Sequence, residues 1–590
     1  MGGGLDAHRP QVAMLASARG TLARALRRLA GADGLIALPT LAYLGLFLIL
    51  PLAAILGLGA TAGPYGRGEL IATLLRPTVW GETLARTLAQ ATLSTALTLL
   101  IGLPAAYAFA RYRFPLRRAL RALASAPFVM PAVVVAAAFT ALLGPRGALN
   151  AIAQAVTGRT DAPLQLLGTL PMILIAHAFY NVSVVIRVVG GFWSAIDPRL
   201  ESAAATLGAN RWRTLTAVTL PLALPAIGSA AALIFLFTFG SFGVVLLLGN
   251  PQWATLEVEI YRQTTWSLRL DVVAALAVIQ MIVTALTGAV SARLSDRASA
   301  PLAMRPAEDI AVPPRGPAAR ALVALTVLVA LGLCALPLAA LAVSSLDLSA
   351  GLDPERVLRY YASLESNARL SAFFVPPITA IRRSLLVGAA TAVLALAMGL
   401  PMAVVLARAR GGARRGATLA SMALEALLLL PLGASAVTLG LGYIIAFSRP
   451  PLDWIGSPLL IPLAHTLIAL PFVTRALTPA LRALDPKLRE AARTLGASPA
   501  RARLAIDLPL LAQPMLAALT FSFTTSLGEF GASLLIARPE NPTLPLLIAR
   551  ALAQPGALNY GQAMAMSTLL MTITALSVFA IERWQPERQR

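Results

Sequence analysis

The chain has one cysteine, one lysine and three histidines among 590 residues. Cys334 has no partner for an intrachain disulfide and lies in an apolar run, the setting of a buried packing residue. The lysine, Lys487, sits in Asp485-Pro486-Lys487-Leu488 and follows no Gly-rich turn. A phosphate-gripping Walker loop needs a lysine after such a turn, so ATP chemistry that drives this chain belongs to another subunit. The histidines are His8, His177 and His465; His177 and His465 have no Cys, Asp or Glu at ligand spacing, which argues against a metal centre or a clustered catalytic site. Charge is scarce too: 13% of residues are charged, against about 25% in soluble domains.

What remains is apolar. Hydrophobic residues make up 58% of the chain and the mean hydropathy is +0.76. The runs lack the alternation of an outer-membrane barrel and read as spanning helices. Six lie in each half, near 35–58, 84–110, 123–143, 165–189, 222–248 and 271–292, then near 320–344, 384–408, 418–447, 458–476, 510–536 and 562–582. The fold class expected is all-α integral membrane, with twelve transmembrane helices in two tandem six-helix halves.

The net charge of +22 does not indicate nucleic acid, because the arginines cluster between apolar runs. Arg111, Arg113, Arg117, Arg118 and Arg121 follow the second run; Arg408, Arg410, Arg414 and Arg415 follow its counterpart; Arg482, Lys487, Arg489, Arg493, Arg501 and Arg503 follow the tenth. All fall on one side with both termini, which makes that side cytoplasmic in a multi-pass protein of the inner membrane. The 345–383 stretch breaks the pattern with Arg356, Arg359, Arg369, Arg382 and Arg383. Residues 1–34 read as a cytoplasmic tail, and the helix after it as retained rather than as a cleaved signal. Residues 35–293 form the first half, the Pro-rich stretch 294–318 a cytoplasmic linker, and 319–590 the second half.

The halves repeat each other. Asp197-Pro198-Arg199-Leu200 and Gly208 recur 288 residues later as Asp485-Pro486-Lys487-Leu488 and Gly496. At the same offset His177 matches His465, Gly240 matches Gly528, and Phe242-Gly243 matches Phe530-Gly531. Six helices per half make the repeats parallel, which places a pathway between them. In the second copy Asp485 suits a helix N-cap and Pro486 the first helical position. Leu488, Ala491, Ala492 and Leu495 form an apolar stripe, Gly496 a C-cap, and Ser498-Pro499 restarts a helix. A helix, a Gly corner and a second helix, displayed twice on one side, form a docking surface.

Glu490-Ala491-Ala492 with Gly496, then Asp507-Leu508-Pro509, resembles the EAA loop of ATP-binding-cassette (ABC) importer permeases of the MetI-like type. The resemblance covers about residues 35–582. It implies coupling loops that carry Asp197, Ser202, Ala203 and Gly208 in one half and Asp485, Glu490, Ala491 and Gly496 in the other. It also implies two copies of an ABC ATPase, which use ATP and Mg, and a periplasmic or lipid-anchored substrate-binding protein. No cofactor is expected on this chain, and no nucleic acid. The first copy departs from the pattern: Ser202 stands where the glutamate belongs and Glu201 is one position early. Unequal ATPase contacts follow. Phe239 to Gly249, Thr255 to Tyr261, and Ala176 to Asn181 are similar to thiamine permeases; fused ferric-iron permeases share the architecture.

Candidate pathway or gate residues are His177, Asn181, Ser241, Phe242, His465, Glu529 and Phe530. Glu529 stands about 20 residues into its run, roughly 30 Å from the cytoplasmic end. An acidic group at that depth is a functional candidate, as a cation contact or as a paired gate element; Gly528-Glu529-Phe530-Gly531 also resembles oxyanion permeases. The two histidines read as hydrogen-bonding groups inside the bundle, and Gly240, Gly243, Gly528 and Gly531 as points of close helix packing or bending. An ion-coupled secondary transporter predicts more polar groups at midplane and leaves the paired loops unexplained.

Overall fold

The computed structural model describes residues 32–61, 69–159, 161–298, 311–348, 353–366, 375–410, 424–425, 427–428, 430–431 and 434–584. Nearly all of the expected tail, residues 299–310 of the Pro-rich linker, and Arg369, Arg414 and Arg415 lie outside these residues. Every regular element described is helical, and Tyr112 and Val312 form an isolated parallel bridge.

Eleven described helices are long and apolar enough to cross a membrane. In the first half these include α1 (Gly34–Gly57), α2 (Pro77–Arg111), α3 (Ala132–Leu143, continued after a turn by Ala148–Thr157) and α4 (Leu170–Ala195). A short helix α5 (Pro198–Thr206) precedes α6 (Leu220–Phe239), and α7 (Gly243–Leu248) and α8 (Leu256–Arg262) precede α9 (Leu270–Ala298). The second half begins with α10 (Pro317–Ser344) and repeats the plan. It has α11 (Pro377–Arg410), α12 (Ala436–Ala446), α13 (Leu460–Arg482), α14 (Pro486–Thr494), α15 (Leu508–Gly528), α16 (Gly531–Ile536), α17 (Leu544–Ala553) and α18 (Ala557–Trp584). The apolar segment at 418–447 is described only in part, chiefly as α12.

Three expected runs are divided. Residues 123–143 split into Arg117–Ser125, a 3-10 turn at Ala126–Val129, and α3. Pro127 and Pro131 lack the N–H groups that a continuous helix would use. Runs 222–248 and 510–536 break at Gly240 and Glu529, so each becomes a long helix followed by a six-residue one. Glu529 is therefore not inside a helix; it is the residue after the end of α15.

The repeat extends to packing. Helix α2 lies along α4 as α11 lies along α13. At equivalent points a Cβ on Gly102 would sit 2.8 Å from Val185 Cβ, and one on Gly399 2.5 Å from Val473 Cγ1. Only glycine permits that approach, and close backbone packing is what holds helices together in lipid. Hydroxyls in α2 bond back to their own helix, Thr87 to Thr83 O at 2.6 Å and Thr98 to Ser94 O at 2.6 Å, so these two polar groups are satisfied within the helix.

The first helix of each half crosses to the other half. Residues of α1 pack on α11 and α12, with Tyr43 Oη donating to Leu463 O at 2.5 Å and Tyr443 Oη to Phe47 O at 3.0 Å. Reciprocally, α10 packs on α2 and α3, and Cys334 lies fully buried in a cluster with Phe109, Val185 and Trp193 of the first half. Val312 pairs with the chain after α2, through Val312 N to Arg111 O at 3.0 Å and Arg113 N to Val312 O at 2.9 Å, which fixes where α10 begins.

Candidate functional site

The two duplicated loops fold alike. Asp197 Oδ1 accepts from Arg199 N at 2.9 Å and caps α5; Asp485 Oδ1 accepts from Lys487 N at 2.9 Å and caps α14. Both helices end in the same corner, with Gly208 at φ +83° and Gly496 at φ +84°. Ala209 N returns to Ala204 O and Ala497 N to Ala492 O, both at 3.0 Å. Asn210 Oδ1 and Ser498 Oγ then cap the next turn, at 2.8 and 3.3 Å. Ser202, Ala203, Glu490 and Ala491 are exposed, and Leu207 and Leu495, just before the glycines, are each 89% exposed. These two apolar tips are exposed rather than packed into the core.

What holds the loops differs. Glu201 in α5 binds Arg111 Nη2 at 2.5 Å, and Thr219 Oγ1 donates to the same carboxylate at 3.0 Å. At the positions 288 residues on, Arg489 Nε binds Asp507 Oδ1 at 2.8 Å. Thus Glu201 and Arg489 are equivalent anchors of opposite charge. Glu201, one position ahead of Ser202, pins its loop inward, while the position aligned with Glu490 carries no carboxylate. The signal was present in the sequence, since Glu201/Arg489 and Thr219/Asp507 are chemically complementary pairs at one offset.

At the opposite end of the bundle the halves meet at Phe242 and Phe530. The span Trp212–Phe239 separates Phe242 from the first loop by 28 residues, about 42 Å of helix. A cavity of about 390 Å³ lies between the halves beneath Phe242. Phe128, Tyr180, Phe237, Phe242, Phe472 and Phe521 supply aromatic walls; His177, Asn181, Ser241, Thr524 and Thr525 supply polar groups. No Asp or Glu is among the lining residues.

The equivalent histidines are both buried but placed differently. His177 lines the cavity, with Nδ1 2.8 Å from Gln90 Nε2 and 3.0 Å from Ser94 Oγ, and Nε2 2.8 Å from Ser241 Oγ. Asn181 Nδ2 donates to His177 O at 2.9 Å. His465 lies outside the lining, with Nδ1 2.7 Å from Ser526 Oγ and Nε2 3.0 Å from Glu529 Oε2. Glu529 does not point into the cavity: it accepts from Ala532 N at 2.8 Å, Ser533 N at 3.1 Å and Ser533 Oγ at 3.1 Å, capping α16. Phe530 stacks on Phe242 without lining the cavity. Of the expected pathway residues the structure therefore gathers His177, Asn181, Ser241 and Phe242, and sets His465, Glu529 and Phe530 behind them. The lining rings at 128, 180, 237, 472 and 521 were not legible in the sequence, because a ring in an apolar run carries no local mark of facing a cavity. Among the described residues no group of three His, Cys, Asp or Glu side chains could hold a metal.

The model of the binding-protein-dependent transport system inner membrane component matches twice, at residues 98–301 and 378–590. The chain belongs to this family. It is a membrane permease component of an ABC importer, and its two matched regions are the two halves of a fused permease. The thiamine transport system permease protein ThiP of Salmonella typhimurium is 26% identical over 559 residues, 93% of this permease and 97% of that protein. The probable ABC transporter permease protein y4fN of Sinorhizobium fredii is 26% identical over 91% and 94% of the two chains. The molybdenum transport system permease protein ModB of Azotobacter vinelandii is 34% identical over 182 residues, 30% of this permease and 76% of ModB. A bacterial ABC transporter involved in alginate import, a solved structure, covers 44% of this permease and 92% of its own chain, at 21% identity and a TM-score of 0.36.

Proposed function

We propose that this permease carries thiamine or its phosphates inward across the inner membrane, through the space between its halves. The observation that carries the reading is the ring-lined, carboxylate-free cavity under Phe242. A thiazolium is a flat, delocalised cation, and aromatic faces attract such groups with about 0.5–2 kcal/mol each. Ferric iron, the competing solute, requires hard anionic ligands; the lining offers His177 and hydroxyls. The thiamine permeases that align over nearly the whole chain support the same reading.

The arginine-rich loop end faces the cytoplasm and the Phe242 end faces outward. Two ATPase subunits dock on α5 and α14, and ATP and Mg stay with them. A substrate-binding protein delivers solute to the outer end. ATP-driven closure of the ATPases draws the loops together, parts the halves at Phe242 and Phe530, and admits solute; release resets the outer closure. Glu490 is exposed and has no side-chain partner among the described residues, so its carboxylate is free for the ATPase, whereas Glu201 is engaged by Arg111.

Uptake by proteoliposomes that hold the permease, its ATPase and its binding protein tests the reading. Labelled thiamine should accumulate with ATP, and ferric iron and molybdate should not. Accumulation of either ion without thiamine overturns the assignment.

A further inference from the structure

The two halves meet near the Phe242 end in unequal chemistry. On one side Gly528 packs on Pro131, and a Cβ there would lie 3.3 Å from Pro131 Cα. On the other side Gly240, the equivalent of Gly528, faces Glu257, and its Cβ would lie 3.7 Å from Glu257 Oε1. Glu257 is only 3% exposed. Gln280 Nε2 of α9 donates to its Oε1 at 2.6 Å. The Ser435 hydroxyl, from the second half, is hydrogen-bonded to its Oε2. The same Ser435 Oγ accepts from Val437 N at 3.1 Å and Thr438 N at 3.2 Å, capping α12. With its lone pairs turned to two amides, the hydroxyl gives its proton to Glu257. The position equivalent to Glu257 in the second half is Pro545, so the sequence offers no second copy of this carboxylate.

A buried carboxylate is costly unless hydrogen-bonded. Glu257 has one partner in its own half and one across the interface, so separating α8 from α12 strips half of its support. We propose that Glu257 is a positioning residue that latches the outer end shut through Ser435, and that outward opening requires this bond to break. The inference rests on the proposed alternation of the two halves, and not on which solute they carry. Breaking the bond raises the population of the outward-open state and, with it, the ATPase rate that no longer waits for the binding protein.

The test uses the full permease–ATPase complex in proteoliposomes. Spin labels are placed on Trp266→Cys and Arg449→Cys, both exposed, while Cys334 stays buried and unlabelled. Glu257→Gln and Ser435→Ala should each widen the label separation without binding protein and raise basal ATPase roughly fivefold to thirtyfold, the change expected for one or two kcal/mol. Ser435→Thr, which keeps the hydroxyl, should restore the parent separation. Parent separations and rates in both Glu257→Gln and Ser435→Ala overturn the latch. So does an equal shift in Ser435→Ala and Ser435→Thr, which would trace the effect to packing. Failure of thiamine uptake by the parent complex would refute the solute and leave these readouts intact.

Discussion

Phe242 and Phe530 are the same residue of the repeat, 288 positions apart, and their rings stack across the two halves at 5.9 Å with an interplanar angle of 22°. Each follows a long helix that starts near one of the duplicated loops, and each precedes a short helix. Close glycines frame the pair: a Cβ on Gly531 would lie 3.4 Å from Phe242 and one on Gly243 3.6 Å from Phe530. Movement of either loop therefore has a direct helical connection to one ring of the closure.

Removing either ring should loosen that closure. An aromatic pair adds about 0.5–1.5 kcal/mol beyond its buried area. Phe242→Ala and Phe530→Ala should each raise binding-protein-independent ATPase several-fold, and the double variant should fall short of the combined effects. A double-mutant cycle of ATPase rates checks this; full additivity would mean that the rings do not act together.

Anchors and docking groups of the loops should separate cleanly. Glu201→Ala leaves Arg111 nearly buried without its carboxylate, and breaking such a pair costs about 3–5 kcal/mol. Thermal unfolding in detergent should show a clear drop. Glu490→Ala removes an exposed group and should change stability by less than about 0.5 kcal/mol, while weakening copurification of the ATPase.

The glycine contacts between paired helices give a packing prediction. Gly399→Ala forces a Cβ into Val473 and should cost about 1–3 kcal/mol. Val473→Ala added to it should recover part of the loss. Unfolding midpoints of the single and double variants decide the matter.

The equivalent histidines should report different functions. His177→Ala touches the cavity and should raise the KM for solute uptake with little change in ATPase stimulation by the binding protein. His465→Ala leaves Glu529 without a ring partner and should lower stability instead. Paired uptake and unfolding measurements distinguish the two.

The Asp-Pro starts, Gly208 and Gly496 were legible in the sequence because caps and a left-handed corner depend on a few neighbouring residues. The twofold plan was legible because one offset relates so many positions. Gly240 and Gly528 were legible as points of bending, but the full break after them was not, since apolar residues continue on both sides. Nor was the exchange of α1 and α10 between halves, because the hydropathy of a spanning helix says nothing about which neighbour it packs on. The anchor role of Glu201 was not legible for a related reason: its partner Arg111 lies 90 residues away in the chain, and only the folded packing brings the two together.

The most direct test of a pathway that runs between the halves and closes at the stacked rings is to lock it. Phe242→Cys and Phe530→Cys, bridged by a short bifunctional thiol reagent in the assembled complex, should abolish ATP-dependent thiamine uptake, and a cleavable bridge should restore it on reduction. Uptake that continues at the uncrosslinked rate in the fully bridged protein would contradict the account.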